Sequence, residues 1–233
     1  MTYPRRPCAE LPFSGRDIML TYTHEHPAVP FEFEDTLEIW SVDITRYHDD
    51  DGCEQCSDTA SCEASQDPRL GHMEFVRLRD YTADPGWDAA DAHTGDLEKI
   101  VSVCTNPEYA MTPGLHWNKD FEDAVESPVG DLLVMDRVRL APQWRGFGIG
   151  AFAAAEAIRR LAGGCCAVAC EPASTDRAFE DGNDAAFTAA QTKIAAVWES
   201  VGFEPFRDGV HLLDPALRHM DDRRTAWQQH FGR

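Results

Sequence analysis

Apolar and polar residues alternate one by one through Thr36–His48, "TLEIWSVDITRYH", and again through His72–Tyr81, "HMEFVRLRDY". A period of two sends successive side chains to opposite faces of a strand, so these segments read as an antiparallel pair, with a further strand at Asp17–His24, "DIMLTYTH". The acidic segment between the pair, "DDDGCEQCSDTASCEASQDPRLG", reads as a long exposed connection. From Pro85 to Ser127 the spacing turns helical, in Trp87–Cys104 and Asn118–Ser127, with coil at Thr105–His116 between them. Asp131–Leu140 is a strong strand and a helix follows from Gly148 to Ala162. Gly164–Glu171, "GCCAVACE", is continuously apolar, as suits a strand buried on both faces at the centre of a sheet. A polar loop leads to a helix over Ala185–Val201, ended by Gly202 at the usual left-handed exit position. Short strands at Phe203–Phe206 and Gly209–Asp214 follow, and the tail from Pro215 is compatible with one more helix. This order predicts an α/β fold with a mixed sheet. At 233 residues it fits one domain: a first part over 1–130, a core over 131–214 and a tail over 215–233.

Charge narrows the partners. Asp and Glu number 41 against 21 Lys and Arg, a formal net charge of −20. Such a surface repels phosphate backbones and anionic lipid, so neither nucleic acid nor membrane is an expected partner and a cationic one is favoured. Positive charge is almost wholly arginine, the lysines being Lys99, Lys119 and Lys193. No apolar run approaches the roughly 18 to 20 residues of a membrane span, and "MTYPRRPCAELPFSG" lacks an apolar signal core, so a soluble, cytoplasmic protein is expected. The eight cysteines are too few for a disulfide scaffold and are expected to be mostly thiols, with Cys165, Cys166 and Cys170 acting as small apolar residues. Cys53, Cys56 and Cys62, with His48 or His72, offer part of a zinc site, but one C-x-x-C without a second pair is a weak signal and no metal is expected.

The stretch Pro142–Phe152, "PQWRGFGIGAF", carries the clearest chemistry. Three glycines at alternate positions open a helix, although each costs a helix interior about 1 kcal/mol relative to alanine. G-x-G-x-G is not the dinucleotide spacing G-x-G-x-x-G, and the Gly-Lys-Ser/Thr of a nucleoside-triphosphate loop is absent. Bare backbone at a helix N-terminus suits an anion, because unpaired N–H groups and the helix dipole point at it. Arg137, Arg139, Arg145, Arg159 and Arg160 are concentrated here as a candidate counter-field, with Glu156 and Arg160 spaced for an ordinary i,i+4 pair.

Arg145-x-x-Gly148-x-Gly150 after a strand resembles the pyrophosphate loop of the GNAT superfamily of acyl-CoA-dependent N-acetyltransferases, and "AAVWESVGF", Ala195–Phe203, resembles that family's late helix and its exit. The resemblance covers about Asp131 to Asp214 and implies an α/β, GNAT-like fold with a mixed, mostly antiparallel central sheet flanked by helices, and a co-substrate, acetyl-CoA, held by Arg145, Gly146, Phe147, Gly148, Ile149, Gly150 and Ala151. It implies that main-chain groups of Val138, Arg139 and Leu140 hold the thioester, and that the acceptor is a primary amine of a small molecule or protein. The amine must lose a proton to attack, and Asp136, which strict alternation puts on the face of Val138 and Leu140, is a candidate base; pairing with a neighbouring arginine is its plainer reading. Trp198 stands where many members carry a tyrosine that protonates the leaving thiolate; indole only donates a hydrogen bond and packs, so Tyr109 or water is the substitute acid and Trp198 is otherwise core. A non-catalytic acyl-CoA-binding or interaction module is the alternative. His93 and His116 are further candidates for the acceptor cleft.

Overall fold

The computed structural model describes residues 6–47, 68–173, 184–217 and 219–231. The cysteine segment with His48, Cys53, Cys56 and Cys62 lies outside the described residues.

Seven strands form one sheet: β1 (Ile18–His24), β2 (Leu37–Arg46), β3 (Arg69–Leu78), β4 (Asp131–Leu140), β5 (Cys165–Cys170), β6 (Glu204–Pro205) and β7 (His211–Leu213). Their order across the sheet is β1-β2-β3-β4-β5-β7-β6, and every neighbouring pair is antiparallel except β4 with β5. The helices of the described residues are α1 (Gly86–His93), α2 (Gly95–Cys104), α3 (Lys119–Ala124), α4 (Ile149–Leu161), α5 (Asp184–Val201) and α6 (His219–Phe231).

Alternation in β4 divides the core between the two faces. Leu133 and Met135 join a cluster with Ile149, Ala153 and Ile158 of α4 and Trp227 and Phe231 of α6. Leu132 and Val134 join the opposite cluster, with Leu97 and Ile100 of α2 and Phe121 of α3. The sheet is thus covered on both sides, and β5, apolar throughout, lies inside it between β4 and β7.

Some elements differ from the pattern reading for local reasons. The helical run Trp87–Cys104 is two helices: Thr94 has extended backbone, and its hydroxyl accepts the N–H of Leu97 at 3.1 Å to start α2 afresh. Strand β3 begins at Arg69, inside the segment expected to be connection, because Arg69 pairs with Thr45 and Gly71 with both Ile44 and Leu140. The tail is a helix and part of the core, with Trp227 and Phe231 each 3% exposed. Glu156 pairs with Arg224 of that tail helix, 2.9 Å, and accepts from Gln228, so the expected Glu156–Arg160 pair does not form. Cys166 and Cys170 are buried thiols; burial pushes the Cys166 thiol up to about 12, which keeps it neutral and apolar in behaviour. No helix among the described residues is long and apolar enough to cross a membrane.

Candidate functional site

Parallel strands β4 and β5 share a short ladder: Asp131 faces Cys165, then Leu132, Leu133 and Val134 face Ala167, Val168 and Ala169. Past Val134 they part, and the edge of β4 facing β5 has no strand partner among the described residues. A β-bulge lies at that point. Glu74 of β3 pairs with Arg137 and Phe75 with Met135, which leaves Asp136 as the extra residue.

The bulge also resets the alternation. Leu133 and Met135 face the α4 side before it, and Val138 and Leu140 pack on that same side after it. Strict alternation therefore fails at Asp136, and neighbouring Asp136 and Arg137 come together, with Nε 3.3 Å from the carboxylate. Asp136 still lines the cleft that opens between the strands, so its two readings, cleft residue and arginine partner, coexist. Burial holds its carboxyl above the usual value, with Arg137 opposing that shift.

The cleft measures about 560 Å³. One wall is Val138, Arg139 and Leu140 with the turn Arg145 to Ala151; the other is Cys170 and Glu171 at the end of β5 with Lys193, Val197 and Trp198 of α5, and Trp227 of α6 also reaches in. The turn is held from within, since Arg145 Nε donates to the Leu140 carbonyl at 3.0 Å. Helix α4 begins without a side-chain cap; Phe152 N–H donates to the Gly148 carbonyl at 3.0 Å, and the N–H groups of Ile149, Gly150 and Ala151 precede that first helical bond.

The three glycines are not equivalent. Gly146 and Gly148 have φ of 87° and 89°, a left-handed backbone that disfavours any side chain, so the turn alone requires them. Gly150 is helical, and a Cβ there would meet only Leu140 and Val138, at 3.4 Å and beyond. Neither backbone nor packing demands glycine at 150, so Gly150 carries the case for clearance. Phe147 and Ile149 are 1% and 0% exposed and sit in the core, and of the expected co-substrate residues of the turn these two do not line the cleft.

The counter-field is also redistributed. Arg159 and Arg160 lie in the last turn of α4, about 15 Å along its axis from the glycine end, and Arg137 is engaged by Asp136 and Glu74. The cations lining the cleft are Arg139, Arg145 and Lys193, against the carboxylates Asp136 and Glu171. Each carboxylate has its own cation, Arg137 for Asp136 and Lys99 for Glu171, whereas Lys193 makes no ion pair among the described residues. Among the described lining residues cations thus outnumber carboxylates three to two, in a chain of net charge −20. Glu171, Lys193 and Trp227 were not singled out from sequence. The available signals were weak: the first charge after an apolar strand, one of three lysines, and an aromatic in a polar tail.

Trp198 is both core and cleft: 9% exposed, packed in the α4-side cluster and lining the cavity. Its carbonyl accepts from Gly202 and Phe203, at 3.1 and 3.2 Å, as α5 ends through Gly202 at φ 130°. Tyr109 is elsewhere, half-exposed on the turn after α2 and tilted against His116 with ring centroids 5.2 Å apart, outside the cleft lining. His116 contacts the Pro113 carbonyl, and His93 lines a separate acidic hollow with His24 and His26. His72 contacts Asp43 through Nδ1 at 3.0 Å and Glu74 through Nε2 at 3.4 Å. Among the described residues no group of three or more His, Cys, Asp or Glu is placed to hold a metal. No family model, no curated protein and no solved structure matches the chain.

Proposed function

We propose that the chain is a GNAT-like N-acetyltransferase that binds acetyl-CoA in the β4–β5 cleft and passes the acetyl group to a primary amine. One observation carries the reading: the edge of β4 left open by β5, an uncapped helix start with a glycine the fold does not need, and the cationic side chains Arg139, Arg145 and Lys193 all line one cleft. A pyrophosphate is matched by the N–H groups at the start of α4 together with Arg145 and Lys193. An extended pantetheine arm is matched by the free edge of β4, whose backbone groups pair with an amide as a missing strand would. The bound thioester supplies an activated acyl carbon. Asp136, at the bulge, is the residue placed to take the proton of the attacking amine, and its raised pKa suits a base more than an ordinary exposed carboxylate would. The acidic remainder of the surface favours a cationic acceptor.

Trp198 favours a second reading, an acyl-CoA-binding module without turnover. Tyr109 is outside the cleft, and Ser200, the hydroxyl side chain that lines it, already donates to the Val197 carbonyl at 2.6 Å. A thiolate of pKa about 8.5 leaves tolerably without an acid, so transfer is slowed rather than excluded. Titration with acetyl-CoA, followed by thermal unfolding, tests both readings; absence of stabilisation at millimolar acetyl-CoA overturns both. Release of free thiol on adding a panel of polyamines, aminoglycoside amines and peptide N-termini separates them, because only the enzyme produces it.

Lys193→Glu is expected to weaken acetyl-CoA binding about tenfold at low salt, by replacing a cleft cation with an anion facing the co-substrate. The loss should shrink as ionic strength rises and the Debye length falls below about 8 Å. Equal affinity for the variant and the parent at low salt would remove Lys193 from the binding wall.

A further inference from the structure

The glycine turn is gripped from behind by the segment that precedes β1. Arg6 N–H donates to the Gly146 carbonyl at 2.9 Å, and its Nη1 donates to the Gln143 carbonyl at 3.3 Å. The guanidinium lies 4.0 Å from the centroid of the Phe147 ring, and the side-chain methylenes approach the position a Gly146 Cβ would take to 3.3 Å. Arg6 lines no part of the cleft, although Gly146, which it holds, does. The segment is anchored twice more. Phe13, 7% exposed, meets Trp144 of the same turn edge-on at 5.2 Å, and Cys8 Sγ lies 3.0 Å from His230 Nε2 on α6.

A trans peptide is planar, and its C=O and N–H point in opposite directions. Fixing the Gly146 carbonyl toward Arg6 therefore fixes the Phe147 N–H in the opposite direction, and with it the backbone of Gly146, which lines the cleft. Of the two residues that flank this peptide, Gly146 has a left-handed φ and no side chain to resist a flip. Resting on the reading of the cleft as an acyl-CoA site, we propose that Arg6 is a positioning residue for the anion-binding turn: its backbone N–H and guanidinium preset the Gly146–Phe147 peptide, and co-substrate affinity depends on this grip though Arg6 does not touch the ligand. The benefit is preorganisation, which appears in binding and not in the chemical step.

Three variants separate the parts. Arg6→Pro removes both N–H and guanidinium, Arg6→Ala keeps the N–H, and Arg6→Lys keeps the N–H and most of the stem. Affinity for acetyl-CoA should fall about tenfold in Arg6→Pro, about threefold in Arg6→Ala and least in Arg6→Lys, with kcat at saturating acetyl-CoA unchanged and the unliganded melting temperature within a few degrees. Parent-like affinity in a folded Arg6→Pro protein overturns the proposal, as does a fall in kcat with KM unchanged. If Arg6→Pro does not fold, Arg6→Ala decides by the same criterion. Inorganic pyrophosphate is titrated in parallel. A parent protein stabilised by pyrophosphate but not by acetyl-CoA loses the proposed function and keeps the turn, and equal stabilisation of the parent and Arg6→Ala by pyrophosphate ends the grip by Arg6 whatever the function.

Discussion

Gly150→Glu is expected to abolish the thermal stabilisation of this protein by acetyl-CoA while leaving the unliganded fold intact. A ligand at about one hundred times its Kd stabilises the native state by about 2.7 kcal/mol. At roughly 2 to 4 °C per kcal/mol for a chain of this size, that is about 5 to 11 °C in melting temperature, all of which the variant should lose. The fold has no objection to a side chain here, since the nearest neighbours of an added Cβ are Leu140 and Val138 in ordinary contact. The glutamate would enter the cleft that Gly150 lines and set a negative charge at the start of α4, where the pyrophosphate is proposed to lie. Gly150→Ala makes a sharper companion, because its two effects oppose each other. It should raise unliganded stability by up to about 1 kcal/mol, from helix propensity alone, and still weaken acetyl-CoA binding by intruding on the backbone approach. Alanine that stabilises and binds as well as glycine would show that no ligand needs the bare backbone at 150.

The sequence was most informative where a single force decided the outcome. Continuous apolarity placed β5 inside the sheet, and alternation located β2 and β3. The glycine turn was visible because glycine in a helix start is costly, but the sequence treated its three glycines alike, and only backbone angles separate the two the turn requires from the one it does not. The bulge at Asp136 has no mark in "VMDRV": it shows only in the register of β4 with β3, a strand far away in the chain, at the point where β4 parts from β5. The Glu156 pairing went astray for a similar reason. An i,i+4 partner is the local default, and Arg224 and Gln228 reach Glu156 only because the tail helix packs on α4. The grip of Arg6 on Gly146, across most of the chain, had no local signature at all.

Asp136→Asn is expected to lower the rate of transfer by about a hundredfold or more at neutral pH, within the range for loss of a positioned general base, with little change in acetyl-CoA affinity. The pH profile gives the sign. Burial holds the Asp136 pKa above the ordinary carboxylate value of 3.8, so the active, ionised form is lost as pH falls through that raised pKa, and the acid limb of kcat/KM should lie above the range of an exposed aspartate. Asparagine cannot ionise, so that limb should vanish and leave only the rise due to deprotonation of the acceptor amine. The same sign applies to stability. A carboxyl whose folded pKa is raised favours the fold most when protonated, and that contribution is lost as pH rises from the unfolded toward the folded pKa. At neutral pH asparagine removes a largely buried charge held against its desolvation, at the expense of its contact with Arg137, so the variant should melt near the parent and its lost activity is not unfolding. An acid limb that persists unchanged in Asp136→Asn would assign the base to another group. Glu171 is then the candidate, since it is the other carboxylate lining the cleft.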